Sequence, residues 1–143
     1  MSDKIEFTLD GKKVTASGDE TIWAVAKREG TKIPHLCHVD LPGYRPDGNC
    51  RACVVEVQGE RTLAPSCCRV PTEGMVVRTD SPRAQQSRKM VLEMLLADMP
   101  AEELVAAIDF HGIRDAVDEA SCLAMVKAND ATRAERIARV RDA

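Results

Sequence analysis

Asp47–Val57 reads DGNCRACVVEV, a glycine-bearing loop that delivers two cysteines, three residues apart, to the start of a β-branched run. Val54, Val55, Glu56 and Val57 have the composition of a strand. Thiols at the mouth of a strand, in a loop that glycine lets fold tightly, are placed to hold something. The chain around them narrows what that is. It has six cysteines in 143 residues, few aromatics and a net charge of −3. That charge leaves no electrostatic footprint for nucleic acid. No apolar run reaches the roughly 18 residues of a membrane span, and the opening MSDKIEFTLDG lacks the basic-then-apolar order of a secretory leader. A cytoplasmic chain is expected, whose cysteines serve metal binding or redox chemistry rather than disulfides.

Outward from the loop, the chain divides by pattern. KIEFTLDGKKVTA sets two β-prone runs about Asp10-Gly11, a favoured two-residue hairpin turn. In DETIWAVAKREG, Ile22, Val25 and Ala26 fall at helical spacing and Gly30 stands where a helix stops. The long loop TKIPHLCHVDLPGYRPDGNCRAC follows, then strands over VVEV, RTLAPSC and MVVRT. This order predicts a small mixed sheet wrapped on one helix. From Ser81 the pattern turns helical, with Ser81 as cap and Pro82 at the first helical position. Met90, Val91, Met94 and Leu95 form an apolar stripe, read as core-facing. A second helix after Met99-Pro100 carries Leu104, Val105 and Ile108. A third, near residues 115–127, is expected to bury Val117, Ala120, Leu123 and Ala124, and the tail DATRAERIARVRDA predicts a fourth along Ala134, Ile137 and Val140.

The cysteines run Cys37-x12-Cys50-x2-Cys53-x13-Cys67, with Cys68 beside Cys67 and Cys122 far downstream. Four thiolates suit zinc, a [2Fe–2S] cluster or a [4Fe–4S] cluster. Structural zinc usually takes two close pairs, and this chain has one C-x2-C; the C-x2-C-x2-C of [4Fe–4S] proteins is absent. A loop cysteine, a C-x2-C pair and a distant fourth cysteine keep the order of plant-type [2Fe–2S] proteins with a longer first gap, which favours iron–sulfur over zinc. A Rieske site is rejected, because His38 has no second histidine at suitable spacing. Gly43 and Gly48 would admit backbone N–H groups to a cluster, and Pro34, Pro42 and Pro46 stiffen the loop. Arg51 reads either as a counter-charge or as a solvated surface residue. His35 and His38 are expected to be exposed loop residues rather than ligands.

The segment IPHLCHVDLPGYRPDGNCRACVVEVQGERTLAPSCCRVPTEGMVVRT resembles a [2Fe–2S] domain found in three kinds of protein. These are the large cluster-bearing subunit of respiratory complex I, the small diaphorase subunit of NAD-reducing hydrogenases, and the N-terminal region of the alpha subunit of NAD-dependent formate dehydrogenases. The motifs are I-P-x-L-C at Ile33–Cys37, G-N-C-R-x-C at Gly48–Cys53, S-C at Ser66–Cys67 and E-G-M at Glu73–Met75. ETIWAVAKREGTKIPHLCH, GYRPDGNCRACVVE and SRKMVLEMLLAD look most like the formate dehydrogenase branch.

The resemblance implies an α+β fold, a β-grasp [2Fe–2S] ferredoxin domain over residues 1–80 followed by a helical region over 81–143. It implies one cluster, with Cys37, Cys50, Cys53 and Cys67 as its iron ligands, Cys68 on the opposite strand face and Cys122 packing between helices. The implied role is one-electron relay, without catalytic residues, in an NAD-linked formate-dehydrogenase-like complex. Its partners would be a flavin/NAD diaphorase and a molybdenum or tungsten catalytic subunit, with neither nucleic acid nor membrane involved. A free ferredoxin serving another reductase, and a zinc-stapled or redox-sensing interaction protein, are the alternatives. In the complex I and hydrogenase relatives, the LLAD helix leads into histidine-proline and three cysteines of a further [4Fe–4S] cluster. Here Met99-Pro100 leads into AEELVAA, and His111 and Cys122 do not rebuild that site. The chain is expected to be an independent subunit or the start of a longer protein. Its helical half is expected to be a docking face rimmed by Arg133, Arg136, Arg139 and Arg141.

Overall fold

The structure, a computed structural model, describes residues 4–39, 41–110 and 114–141. His111 and the side chains of Arg136, Ile137, Val140 and Arg141 lie outside the described residues. The hairpin forms as its turn dictates: β1 (Lys4–Leu9) and β2 (Lys12–Ser17) pair antiparallel with Phe7 opposite Val14. Asp10 and Gly11 both take positive φ, at 50° and 82°, the requirement of a tight turn that matches strand twist. Period-two alternation buries Phe7 and Leu9 on one strand and Val14 and Ala16 on the other.

Helix α1 (Ile22–Arg28) starts where the Thr21 side chain accepts the Ala24 N–H. It stops in the way glycine allows, Gly30 at φ +83°. The Gly30 N–H returns to Lys27 O at 3.1 Å and the Thr31 N–H to Ala26 O at 2.8 Å. Ile22, Trp23, Val25 and Ala26 face the sheet and are buried. β3 (Val54–Val57), β4 (Ala64–Pro65) and β5 (Val76–Arg78) complete it. Among the described residues the strand order is β2-β1-β5-β3-β4, with β1 and β5 parallel and the remaining pairs antiparallel. This mixed sheet on one helix is the expected α+β, β-grasp architecture.

The run RTLAPSC reads as a strand in sequence, but pairing is confined to Ala64–Pro65. Beyond Pro65 the chain turns, its carbonyl taking the N–H groups of Cys68 and Arg69 at 3.3 and 3.1 Å. Proline has no N–H to extend the ladder, and the turn satisfies the backbone instead.

Helix α2 (Pro82–Leu96) begins as expected, Ser81 Oγ accepting the Ala84 N–H at 3.2 Å. Its buried face, however, is Ala84, Arg88, Leu92 and Leu96, and not the methionine stripe. Met90 is 55% and Met94 70% exposed, with Leu95 also exposed and Val91 half-buried. α3 (Leu104–Phe110) buries Leu104 and Ile108 and leaves Val105 exposed. The two further helices expected from the sequence form one, α4 (Glu119–Arg141), after a 3₁₀ turn at Arg114–Ala116. α4 buries Cys122 and Val126, whereas Val117 and Leu123 are partly buried and Ala120 and Ala124 exposed. Cys122 is thus a packing cysteine, as expected.

Leu92, Leu96, Leu104, Ile108, Cys122 and Val126 make a core distinct from the one under the sheet. Ala52, Leu36 and Cys50 from the cysteine loop pack on this helical core. Arg133, expected at a docking rim, donates to Asp98 O and pairs with Asp130, tying α4 to the end of α2, while Arg139 is exposed. No helix of the described residues is long and apolar enough to cross a membrane.

Two substitutions check which face of α2 is buried. Leu92→Ala should lower unfolding free energy by about 2–5 kcal/mol, and Met94→Ala should stay within about 0.5 kcal/mol. Urea denaturation of both variants measures this; a larger loss from Met94→Ala would restore the methionine stripe as the buried face.

Candidate metal centre

The loop that carries Cys37 is folded around Trp23. The buried indole Nε1 donates to Ile33 O at 3.2 Å. The His35 and His38 rings meet the indole edge-on, with centroids 5.0 and 4.4 Å away. Both histidines are half-buried rather than exposed, because the indole gives them an aromatic face to pack on. Tyr44 closes the loop, its hydroxyl donating to Cys37 O at 2.6 Å.

The next two cysteines are turned by Arg51, which adopts φ 61° although it is not glycine. That conformation costs roughly 1–2 kcal/mol. It is offset in part by the guanidinium, which donates to Leu63 O at 2.8 Å. Arg51 is thus exposed yet bonded, a staple between the cysteine loop and the approach to β4. Cys50 Sγ accepts the N–H groups of Cys37 and Ala52, both at 3.4 Å, which fixes the direction of its side chain.

Cys67 lies in the turn after β4 and is held from two sides. The first amides of α1 reach it, Trp23 N–H to Ser66 O at 3.0 Å and Ile22 N–H to Arg69 O at 2.9 Å. From the other side Ser66 Oγ donates to Cys53 O at 2.6 Å, locking the Cys67 segment onto the Cys53 backbone. Cys53 and Cys67 are both buried. A hydrogen bond from the Cys67 thiol, with backbone donors of Cys67 and Ser66, draws the Cys53 pKa down to about 6 against the opposing effect of burial. Cys67 is pushed up, first by giving that hydrogen bond and then by burial and by the charges of Cys53, Cys68 and Cys37. The two thiols therefore titrate as a coupled pair, Cys53 lowered and Cys67 raised. At the other pair, burial comes first in raising Cys37, with the Cys50 side chain adding to it.

The structure thus brings the sequence-identified cysteines together as two pairs, Cys37 with Cys50 and Cys53 with Cys67. Among the described residues no three or more His, Cys, Asp or Glu side chains gather as ligands of a single ion. Four thiolates arranged as two pairs match the donor set of a two-iron cluster, which takes two thiolates at each iron. Cys68 stands apart: it is exposed, and its thiol donates to Pro65 O at 3.7 Å. Cys68 lies in a turn rather than on a strand, so the expected opposite strand face does not exist for it, and the residue is not buried.

A family described as a 2Fe-2S iron-sulfur cluster binding domain matches residues 2–82, more than half of the chain. The chain belongs to that family. The cofactor of this cluster-binding domain is accordingly a [2Fe–2S] cluster. The chain is 42% identical over 106 residues to the NADP-reducing hydrogenase subunit HndD of Solidesulfovibrio fructosivorans, a match covering 72% of this chain and 18% of that one. It is 38% identical over 99 residues to the mitochondrial NADH-ubiquinone oxidoreductase 78 kDa subunit of Candida albicans, covering 69% and 14%. A solved NAD+-reducing [NiFe]-hydrogenase in the H2-reduced state superposes with a TM-score of 0.58 at 30% identity, over 76% of this chain and 49% of that one. The chain therefore spans only a small part of the length of those curated relatives.

Sequence reasoning misses the positioning roles of Trp23, Tyr44 and Ser66, although Ser66 stands in the S-C motif; they hold the loop and the Cys67 turn without carrying a ligand. Trp23 is the one available signal, a lone indole in an aromatic-poor chain. Gly48 reads in sequence as a point of approach for backbone N–H groups, and the structure gives a steric reason for it. It has φ +70°, and a Cβ there would lie 2.9 Å from Cys68 Sγ and 3.3 Å from Pro65 Cβ. Gly48→Ala should lower the thermal stability of the cluster-binding domain, and Cys68→Ala should recover part of the loss by removing the closest atom. A double-mutant cycle by thermal denaturation measures the coupling; strictly additive effects would show that Cys68 does not abut residue 48.

Proposed function

We propose that Cys37, Cys50, Cys53 and Cys67 hold one [2Fe–2S] cluster per chain, and that the domain relays single electrons within an NAD-linked oxidoreductase. The observation that carries this reading is the pairing of the thiols, two and two, on separately braced segments. When bound, such a cluster accepts and releases one electron at a time. The chain's own residues prepare for it: the N–H groups of Cys37 and Ala52 hold Cys50 Sγ in place, and the hydrogen bond between Cys67 and Cys53 keeps that pair of thiols together. Cys37 and Cys50 are half-buried beside exposed Leu41 and Tyr44, so this pair is the side reached from solvent. Cys53 and Cys67 form the closed side.

The relatives named above are hydrogenase and NADH-ubiquinone oxidoreductase subunits, which supports redox protein partners for this chain. Within that class we place it in the formate-dehydrogenase branch, alongside a diaphorase and a molybdenum or tungsten subunit, on the resemblance of ETIWAVAKREGTKIPHLCH and SRKMVLEMLLAD. Six free cysteines support the cytoplasm as its compartment. Two separate cores support a division near residue 80, with the cysteine loop resting on both.

Anaerobically purified protein should contain about two irons and two acid-labile sulfides per chain. Cys67→Ala should abolish the visible absorption and the EPR signal of the reduced protein, while Cys68→Ala should leave both intact. Stoichiometric zinc, or bleaching by Cys68→Ala with Cys67→Ala intact, would sink the assignment. Purification from native cells tests the setting: a flavoprotein and a molybdenum or tungsten protein should accompany the chain, and its isolation alone would favour a free ferredoxin.

A further inference from the structure

Among the described residues, Arg88 is a buried cation on the side of Cys53. It lies in the middle of α2, on the face turned to β3, and is 8% exposed. Its Nη1 donates to Val54 O at 2.9 Å, the carbonyl one residue beyond Cys53. Its Nε is buried and has no hydrogen-bond partner among the described residues. A guanidinium in such a place is costly to desolvate and is retained where a negative charge faces it. The anionic groups acting on it are Asp10, Cys53 and Asp80, in that order, and they oppose the lowering of its pKa by burial. Asp10, the first of these, also accepts the N–H and hydroxyl of Thr79 at 2.7 and 2.6 Å, which leaves its charge in place to act on Arg88. Asp80 is 64% exposed and its field is screened by water. Cys53 is the buried one of the three, and its backbone runs directly into the Val54 carbonyl that Arg88 holds.

We propose that Arg88 is the residue that tunes the reduction potential of the cluster from its closed side, by holding a fixed positive charge against the Cys53 end through Val54. This rests on the assignment of Cys53 as a ligand. The sign follows from charge alone. One-electron reduction adds one negative charge to the centre, and a nearby cation stabilises the reduced state more than the oxidised one. Removing the cation therefore lowers the potential. Because the guanidinium is buried, the effect should persist in high salt, where an exposed charge would be screened. Arg88 acts through Val54 and Cys53 and does not itself exchange electrons.

The test uses the full chain with its cluster, in three variants. Arg88→Met keeps the aliphatic stem and removes the charge, Arg88→Gln keeps a donor without charge, and Arg88→Lys keeps the charge without the fork. Midpoint potentials are read by EPR-monitored titration at low and high salt, beside thermal unfolding of the same samples. Only the loaded fraction is read, so a variant with poor yield still reports. The expected result is a lower potential in Arg88→Met and Arg88→Gln, nearly native in Arg88→Lys, with the difference unchanged by salt. All three should unfold earlier than the native chain. Potentials that shift equally in all three, or in none, would overturn the proposal and leave Arg88 a packing residue. A native protein that holds no two-iron centre would instead overturn the ligand assignment, a distinct result from a retained cluster at an unmoved potential.

Discussion

The first amides of α1 have no partner within their own helix, and the chain around Cys67 supplies one for each: Ser66 O for Trp23 and Arg69 O for Ile22. Much of the site depends on this exchange. A buried N–H left without an acceptor costs about 1–3 kcal/mol, more than the net gain from forming the bond. Moving the Cys67 turn would orphan both amides, so the turn stays where α1 puts it. The same helix sends the Trp23 indole to Ile33 O and gives His35 and His38 a ring to pack on. One seven-residue helix thus fixes the Cys67 turn through its backbone and the Cys37 loop through a side chain.

The second support comes from the helical half. Leu36, Cys50 and Ala52 pack against the core of Leu92, Leu96, Leu104 and Ile108. The cysteine loop is thereby held between two cores, one on each side of it. A loop rich in proline and glycine would otherwise be expected to fluctuate, and here it gains a floor of apolar contacts. This gives the helical half a reason to exist apart from any docking role. Arg133 belongs to that structural role too, since it closes the end of α2.

Much of the sheet half is legible in the sequence because its signals are local. Asp10-Gly11 demands positive φ at both positions, Thr21 and Gly30 bracket α1, and Ser81-Pro82 opens α2. The cysteine order is legible for the same reason, since ligand type and spacing are written in the chain. The face that a long helix buries is not. Binary patterning assigns methionine to the core and arginine to solvent, and so passes over the spacing of Ala84, Arg88, Leu92 and Leu96. Only the Val54 carbonyl and the anions beyond it make an arginine acceptable there, and no helical period encodes neighbours that come from a distant strand and turn. The histidines escape for a similar reason: loop position suggests exposure, and a tertiary contact with Trp23 decides otherwise.

The two pairs of thiols differ in surroundings, Cys53 and Cys67 being buried and Cys37 and Cys50 half-buried, and the proposed electron relay would use the difference. Electrostatic interactions strengthen as the local dielectric falls, so a fixed charge acts most strongly at the closed Cys53–Cys67 side. Electron exchange with another protein needs approach, which the half-buried Cys37–Cys50 side offers beside Leu41 and Tyr44. The proposed ligand set is therefore polarised, with one end open for access and the other enclosed for tuning. Substitutions on the open rim can alter partner choice while the charge on the closed side stays constant. A change on α2 can alter the driving force while the docking rim stays intact. On the proposed reading, partner recognition and redox poise would rest on different residues.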